Sequence, residues 1–455
     1  MSNFQRRETM STFTRREFVR KSSTRAAALL TAGPFLKTSF ARNSPNETIQ
    51  MAVMGVRSRG AAHAATLSKL PNVNVAALCD IDERLFPKAV ADVEKISGRK
   101  PVTETDIRKI LENKDIDAIS IAAPNHWHAL ATIWACQAGK HVYVEKPVSY
   151  TIAEGRRMVE ASRKYNRIVQ TGTQNRTSPL VQAAMDFLHA GKLGKLYMVK
   201  CVVFRPRESL GRQTNSAVPN GVHYDLWLGP APWRPFNENR FHYNWHWFWD
   251  TGNGETGNNG PHYTDMARWA LQKYEHPKRI QSMGGYDVFD CDQETPNTQM
   301  SMMEYADGSR VQLEVRGLYT NAEDGIRMGL IVYGSEGWMH LGGNEWKTYY
   351  GRKNEPGEQR VDKETEHVSD ITLTEDGAHF WNFIDAVRNN QRDVLKADIL
   401  EGHLSAAMCH LSNIAYRTRR QVVFDSANEC FPGDAEANSF LNREGRYPFV
   451  VPEKV

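Results

Sequence analysis

What most constrains this chain is an alternation of short apolar runs and helical patterns between residues 49 and 165. Ile49-Gln50-Met51-Ala52-Val53-Met54 reads as a buried strand ending in Gly55, and a helical pattern follows from about residue 59 to 70. Further strands are expected at 73–79, 117–122 and 142–144, with helical patterns at 81–96, 128–138 and 151–165. Strands alternating with helices form βαβ units, which build a parallel sheet through right-handed crossovers. The expectation for residues 42–173 is therefore an α/β, doubly wound dinucleotide-binding (Rossmann) domain.

The phosphate turn is then Gly55-Val56-Arg57-Ser58-Arg59-Gly60, between the first strand and the first helix. It keeps the outer glycines of GxGxxG and carries Arg57 where the middle glycine would let the backbone approach a pyrophosphate. A guanidinium there can pair with phosphate oxygens, while amides at the helix N-terminus, from Ser58 and Arg59 onward, supply the rest. Asp80 ends the second strand. A carboxylate at that point accepts ribose hydroxyls and repels a 2′-phosphate, which favours NAD over NADP. The run Asp80-Ile81-Asp82-Glu83 also suits a helix N-terminus.

After Gln170-Thr171-Gly172-Thr173-Gln174 the alternation stops. Runs at 197–204, 298–304, 310–315 and 328–333 are separated by turn residues rather than helices. Residues 174–455 are thus expected to form an α+β domain with a large, mostly antiparallel open sheet, closed by helices at 378–389 and 398–416.

The N-terminus reads separately. Thr14-Arg15-Arg16-Glu17-Phe18, a short Ala/Leu run and Ser39-Phe40-Ala41 resemble a twin-arginine signal, so residues 1–41 are expected to direct export of a folded protein to the periplasm through the Tat machinery. The apolar run is too short to span a bilayer, so no membrane anchor is expected after processing. Residues 1–41 hold eight Lys/Arg and two Asp/Glu, a net of +6 against +4 for the whole chain. The remainder is therefore near −2, and no nucleic-acid partner is expected. The six cysteines show no CxxC spacing, which suits buried free thiols, although an exported protein can also form disulfides.

Three further motifs carry a family resemblance. Ala123-Pro124-Asn125-His126-Trp127-His128 follows the third strand, Val144-Glu145-Lys146-Pro147 ends the next, and Gly257-Asn258-Asn259-Gly260-Pro261-His262-Tyr263-Thr264-Asp265 lies in the second half. Together they resemble the P-N-x-x-H, E-K-P and D-x-G-x-H-x-x-D segments of the Gfo/Idh/MocA oxidoreductases. The resemblance implies that Pro124, Asn125, His128 and Glu145 border the cofactor, that Lys146 orients the reacting oxygen, and that His262 accepts its proton. It also implies a homodimer or tetramer. Hydride abstraction from a secondary alcohol independently requires such a pair, one group to take the proton and one to hold the oxygen. The chain departs from the pattern at Asn258, where relatives carry an aspartate beside that histidine. An amide can bond a sugar hydroxyl but cannot neutralise an imidazolium. Asp265 can substitute for that charge or cap its helix.

Trp227, Trp233, Trp245, Trp247, Phe248 and Trp249 concentrate between the two halves. Indole faces stack on sugar C–H faces, and Trp247 and Trp249 are the expected stacking residues, beside plain packing as the alternative for each. His242, His246 and His262 lack metal-ligand spacing, so no metal is expected. The leading expectation is a periplasmic NAD-dependent oxidoreductase acting on a sugar or glycoside hydroxyl. A redox-neutral NAD-dependent glycosidase or lyase working through transient C3 oxidation, and a non-catalytic sugar-binding protein, are the alternatives.

Overall fold

A computed structural model describes residues 48–362 and 375–455. The N-terminal reading of an export signal lies outside the described residues. Six parallel strands form the first sheet in the order β3-β2-β1-β4-β5-β6: β1 (Ile49–Met54), β2 (Val73–Cys79), β3 (Val102–Glu104), β4 (Ala118–Ile121), β5 (His141–Val144) and β6 (Val169–Thr171). Helices α1 (Arg59–Lys69), α2 (Phe86–Ser97), α3 (Ile107–Glu112), α4 (Asn125–Gln137) and α5 (Ile152–Lys164) make the crossovers. Strand order reverses between β1 and β4, and ligands bind such sheets at the carboxyl ends of the strands flanking that reversal. Gly55, Asp80, Ala122 and Glu145 all follow directly on strand ends there.

The second sheet has nine strands in the order β14-β13-β12-β11-β7-β10-β9-β8-β15. They are β7 (Leu196–Phe204), β8 (Arg279–Gly285), β9 (Thr298–Glu304), β10 (Arg310–Arg316), β11 (Met328–Gly334), β12 (Gly337–Gly342), β13 (Glu345–Tyr350), β14 (Glu355–Val361) and β15 (Val422–Val423). Only β7 and β10 pair in parallel. The inner face alternates Val199, Cys201 and Val203 on β7 with Val311, Leu313 and Val315 on β10. It packs against α6 (Pro179–His189), α9 (Gly260–Ala270) and α11 (Ile399–Thr418). Short helices α7 (Tyr224–Leu228), α8 (Gly254–Asn258) and α12 (Ala435–Ser439) fill the connections.

The two halves are not independent in packing. Phe380, Phe383 and Ile384 of α10 (Glu375–Asn389) are fully buried among Met51, Val53 and Tyr143 of the first sheet. A C-terminal helix therefore covers one face of the N-terminal sheet. This apolar joint ties the C-terminal half to the sheet of the first.

Candidate active site

The cleft has a volume of about 570 Å³ and runs from the phosphate turn across the ends of β1, β2, β4 and β5 to α8 and α9. Every expected cofactor, catalytic and substrate residue lines it except Trp247 and Trp249. At one end, Gly55 has a φ of +83°, and a Cβ there would lie 2.8 Å from the Ala122 carbonyl oxygen. A Cβ on Gly60 would lie 1.5 Å from the Gly55 carbonyl oxygen, so both positions exclude a side chain. Ser58 gives α1 no side-chain cap and its first turn holds no acid, which leaves the helix's amides open to an anion. Arg57 and Ser58 are exposed at the rim. This is a cradle of the right size and polarity for a dinucleotide's phosphates.

Asp80 folds back onto the turn, accepting from the Val56 amide at 2.7 Å and the Asp82 amide at 3.0 Å. Burial pushes its carboxyl up to about 6 against the pull of those amides. The Ile81 amide bonds it as well, and the lone-pair capacity left over faces the cleft, where a ribose hydroxyl would donate. Arg59 is less available. Its guanidinium forms a two-pronged pair with Asp376 (2.9 and 3.0 Å) and donates to Glu145 at 2.8 Å, bridging the phosphate turn to α10.

Glu145 is a hub. It is buried and accepts from Arg59, from His63 at 3.0 Å and from Gln174 at 3.2 Å. Burial pulls its pKa up, but Arg59, His63 and Lys146 together hold it well below the usual carboxylate range. A Cβ on Gly172 would lie 2.9 Å from the same carboxylate, so that glycine makes room for it. Next along the chain, the Lys146–Pro147 bond is cis. Lys146 Nζ donates to the Asn258 carbonyl at 2.7 Å and approaches Asn258 Oδ1 at 3.4 Å. Burial lowers the Lys146 pKa, with Glu145 and Glu255 opposing.

Asn258 therefore positions the lysine instead of partnering the histidine. Its amide is buried between Lys146 and Glu255, itself paired with Arg207. Among the described residues, His262 has no ion-pair partner. Its Nδ1 is buried with no hydrogen bond among the described residues, and burial, with Lys146 adding to it, pushes the imidazole down to about 3. Asp265 does not substitute for the missing aspartate: it is fully buried in a two-pronged pair with Arg176 and accepts from Ser405. Asn125 and His128 brace the cleft wall. Asn125 bonds Asn253, and His128 sits between the carbonyls of Ala123 (2.7 Å) and Pro147 (2.6 Å), while Pro124 leads into α4.

The two expected stacking residues are placed elsewhere. Trp247 is buried under the Arg207 guanidinium, and Trp249 lies against Arg417 with its amide bound to Glu294. A run of tryptophans must bury most of its area, and the positions nearest a loop's core do so. Trp227, Trp245, Tyr243 and His246 line the cleft instead. The sequence reading also passed over His63, one turn after Arg59 on the same face of α1, a spacing from which it is recoverable. It missed a strap as well. Segment 221–243 pairs with the chain just beyond Asp80: the Glu83 amide donates to the Gly221 carbonyl (2.8 Å), the His223 amide to that of Ile81 (2.8 Å), and His242 Nε2 bonds Asp82 (2.7 Å). Among the described residues one group suits a metal, His276, His403 and Glu429, but Arg156 pairs with both oxygens of that carboxylate and fills the place with its own charge.

Comparison with known proteins decides the family. Residues 49–173 match the NAD-binding Rossmann fold of the Gfo/Idh/MocA oxidoreductases, and residues 207–451 match their C-terminal alpha/beta domain. The chain belongs to this family. It is an oxidoreductase whose cofactor is NAD. When bound, NAD supplies the hydride acceptor or donor, and the uncapped α1 terminus, the glycine cradle and Asp80 are the groups placed where they would hold it. Similar proteins include glycosyl hydrolase family 109 protein 1 of Shewanella sp. (strain ANA-3), 27% identical over 169 residues, which cover 33% of this chain and 37% of that protein. The levoglucosan dehydrogenase of Pseudarthrobacter phenanthrenivorans is 28% identical over 211 residues, covering 44% and 47%. These alignments span less than half of either relative. Among solved structures, a levoglucosan dehydrogenase in complex with NADH and L-sorbose shares the fold with a TM-score of 0.64 at 17% identity, covering 83% of this chain and 99% of that one. The WlbA dehydrogenase from Bordetella pertussis, in complex with NADH and UDP-GlcNAcA, does so at 0.60 and 19%, with the same coverage.

Proposed function

We propose that this oxidoreductase moves a hydride between a secondary hydroxyl of a sugar or glycoside and a tightly held NAD. The observation that carries the reading is Lys146, a cation fixed by Asn258 in the same cleft as His262, an imidazole with no ion-pair partner among the described residues. The ammonium holds the reacting oxygen and stabilises its alkoxide. His262, neutral at physiological pH, accepts the hydroxyl proton. Trp227, Trp245 and Tyr243 supply apolar faces for a pyranose ring. The strap at Asp82 closes the cleft beside Asp80, which supports retention of the cofactor through turnover. The sequence of residues 1–41 supports a periplasmic site of action after export, where a retained cofactor is an advantage. Apolar residues on the outer face of the nine-stranded sheet, Met283, Met300 and Met302 on β8 and β9 and the Phe204–Ile331 cluster on β7 and β11, support assembly as a homodimer or tetramer.

A redox-neutral glycosidase or lyase is the second reading, favoured by the similarity to glycosyl hydrolase family 109 and by Asn258 in place of an aspartate. Glycosides of glucose, galactose and their N-acetyl derivatives, added to the purified protein, distinguish the two. Absorbance of the reduced cofactor with a keto-sugar product supports the dehydrogenase, and free monosaccharide with no net change in cofactor supports the glycosidase. A protein that does neither with any sugar contradicts both.

A further inference from the structure

Asn258 stands where an acid was expected, yet an acid is present one turn back. Gly254-Glu255-Thr256-Gly257-Asn258 forms α8, and residues three apart on a helix share a face. Glu255 is only 2% exposed. Its carboxylate accepts from the Arg207 guanidinium (3.0 and 2.9 Å to Oε2, 3.2 Å to Oε1), from Asn259 Nδ2, and from Asn258 Nδ2 at 3.4 Å. A carboxylate only accepts, so Glu255 fixes which end of the Asn258 amide faces it, and Oδ1 is left for Lys146. The support is rigid. A Cβ on Gly257 would lie 2.3 Å from that of Asn253. The Arg207 guanidinium lies 5.1 Å over the Trp247 ring and donates to the Tyr243 hydroxyl at 3.1 Å. Trp247, placed away from the cleft, is thus the platform for the cation that holds Glu255.

Lys146 needs such an acid. Its ammonium donates to two neutral oxygens of Asn258, and among the described residues no carboxylate forms an ion pair with it. A cation drawn out of water gives up its proton unless a counter-charge lies close by. Glu145, next to it in the chain, is already committed to Arg59 and His63. We propose that Glu255 is a positioning residue for the reaction: it aims Lys146 through the Asn258 amide and supplies the negative charge against which the lysine is held as a cation, with Arg207 limiting that charge. The proposal rests on the reading above that Lys146 holds the reacting oxygen. Burial is the main influence on the lysine and lowers its pKa; Glu145 and Glu255 oppose it, and Arg59 and Arg205 add to it. The other titratable groups that face it are neutral: burial holds His128, His246 and His262 below their usual range and the Cys409 thiol above it.

The test reads the charge of Lys146 directly, with no sugar present. The purified protein is acetylated with trace acetic anhydride at a series of pH values against a free reference amine, and mass spectrometry of the peptide carrying Lys146 gives its titration midpoint. Glu255→Gln leaves Arg207 as a lone cation, and the midpoint is expected to fall by about one pH unit. Arg207→Gln leaves Glu255 as a lone anion, and the midpoint is expected to rise by about as much. Opposite movements are the mark of charge, because a purely structural pair would loosen the same loop in both variants. Movement in the same direction, movement in neither, or a Lys146 that resists acetylation at every pH overturns the proposal. Should E255Q fail to fold, R207Q decides alone: a rise supports the proposal, and a fall or no change overturns it. On a sugar that the protein oxidises, the lost aim in E255Q is expected to lower kcat about tenfold with KM near wild type, and an unchanged kcat contradicts a positioning role. The expected midpoints in a protein that oxidises no sugar support the hold of Glu255 on Lys146 and sink the oxidation reading instead.

Discussion

In the proposed reaction, Lys146 is the residue on which the chemistry turns. Replacing it with methionine keeps the stem and removes the charge, and kcat is expected to fall by about 10²–10³-fold while NAD(H) content stays unchanged. Loss of the cofactor along with activity contradicts a role confined to the reacting oxygen. Asp80 makes a second prediction at this scale. Its carboxyl is raised from 3.8 to about 6 in the fold, so its contribution to stability is full below 3.8 and fades as pH rises through 6. Ribose binding has the opposite sign, because hydroxyls donate to the carboxylate. NAD affinity measured by calorimetry should therefore weaken as pH falls below about 6, and an affinity flat to pH 4 contradicts the assignment. Motif residues on strand ends were legible because the parallel sheet gathers its strand ends at one edge. The tryptophans were not: stacking on a sugar and stacking in a core need the same residue, and only the loop path separates Trp245 from Trp247.

Among the elements, the strap at 221–243 has the clearest consequence. Asp82 is buried and joins Arg84 to His242 across the two halves of the chain. Asp82→Asn removes one charge-assisted bond of each pair, and the off-rate of NAD should rise about tenfold in a chase with excess free cofactor. An unchanged off-rate would mean that the strap does not gate the cleft. Nothing in the sequence announces this segment, since its contacts are backbone pairings 138 residues or more apart. Long apolar strands such as β1, β2 and β7 were readable from their runs. β3 and β6 span only three residues each, too short for a period to show, and β14 is almost wholly exposed, so it carries no buried face to read. Helix α4 begins at Asn125, three residues ahead of the expected 128, because Pro124 sets its start.

At the scale of the whole molecule, the two sheets share helix α11, while α10 covers a face of the first sheet, so the two halves meet through apolar contacts. The proposed function has the strap beside the cleft retain the cofactor, and the sugar oxidation proposed for the site depends on that cofactor being resident. The most direct measurement is the NAD(H) content of the purified protein, released by denaturation and quantified by mass spectrometry and absorbance. The account predicts close to one NAD(H) per chain without any added during purification. An empty protein that also fails to bind added NAD would contradict it.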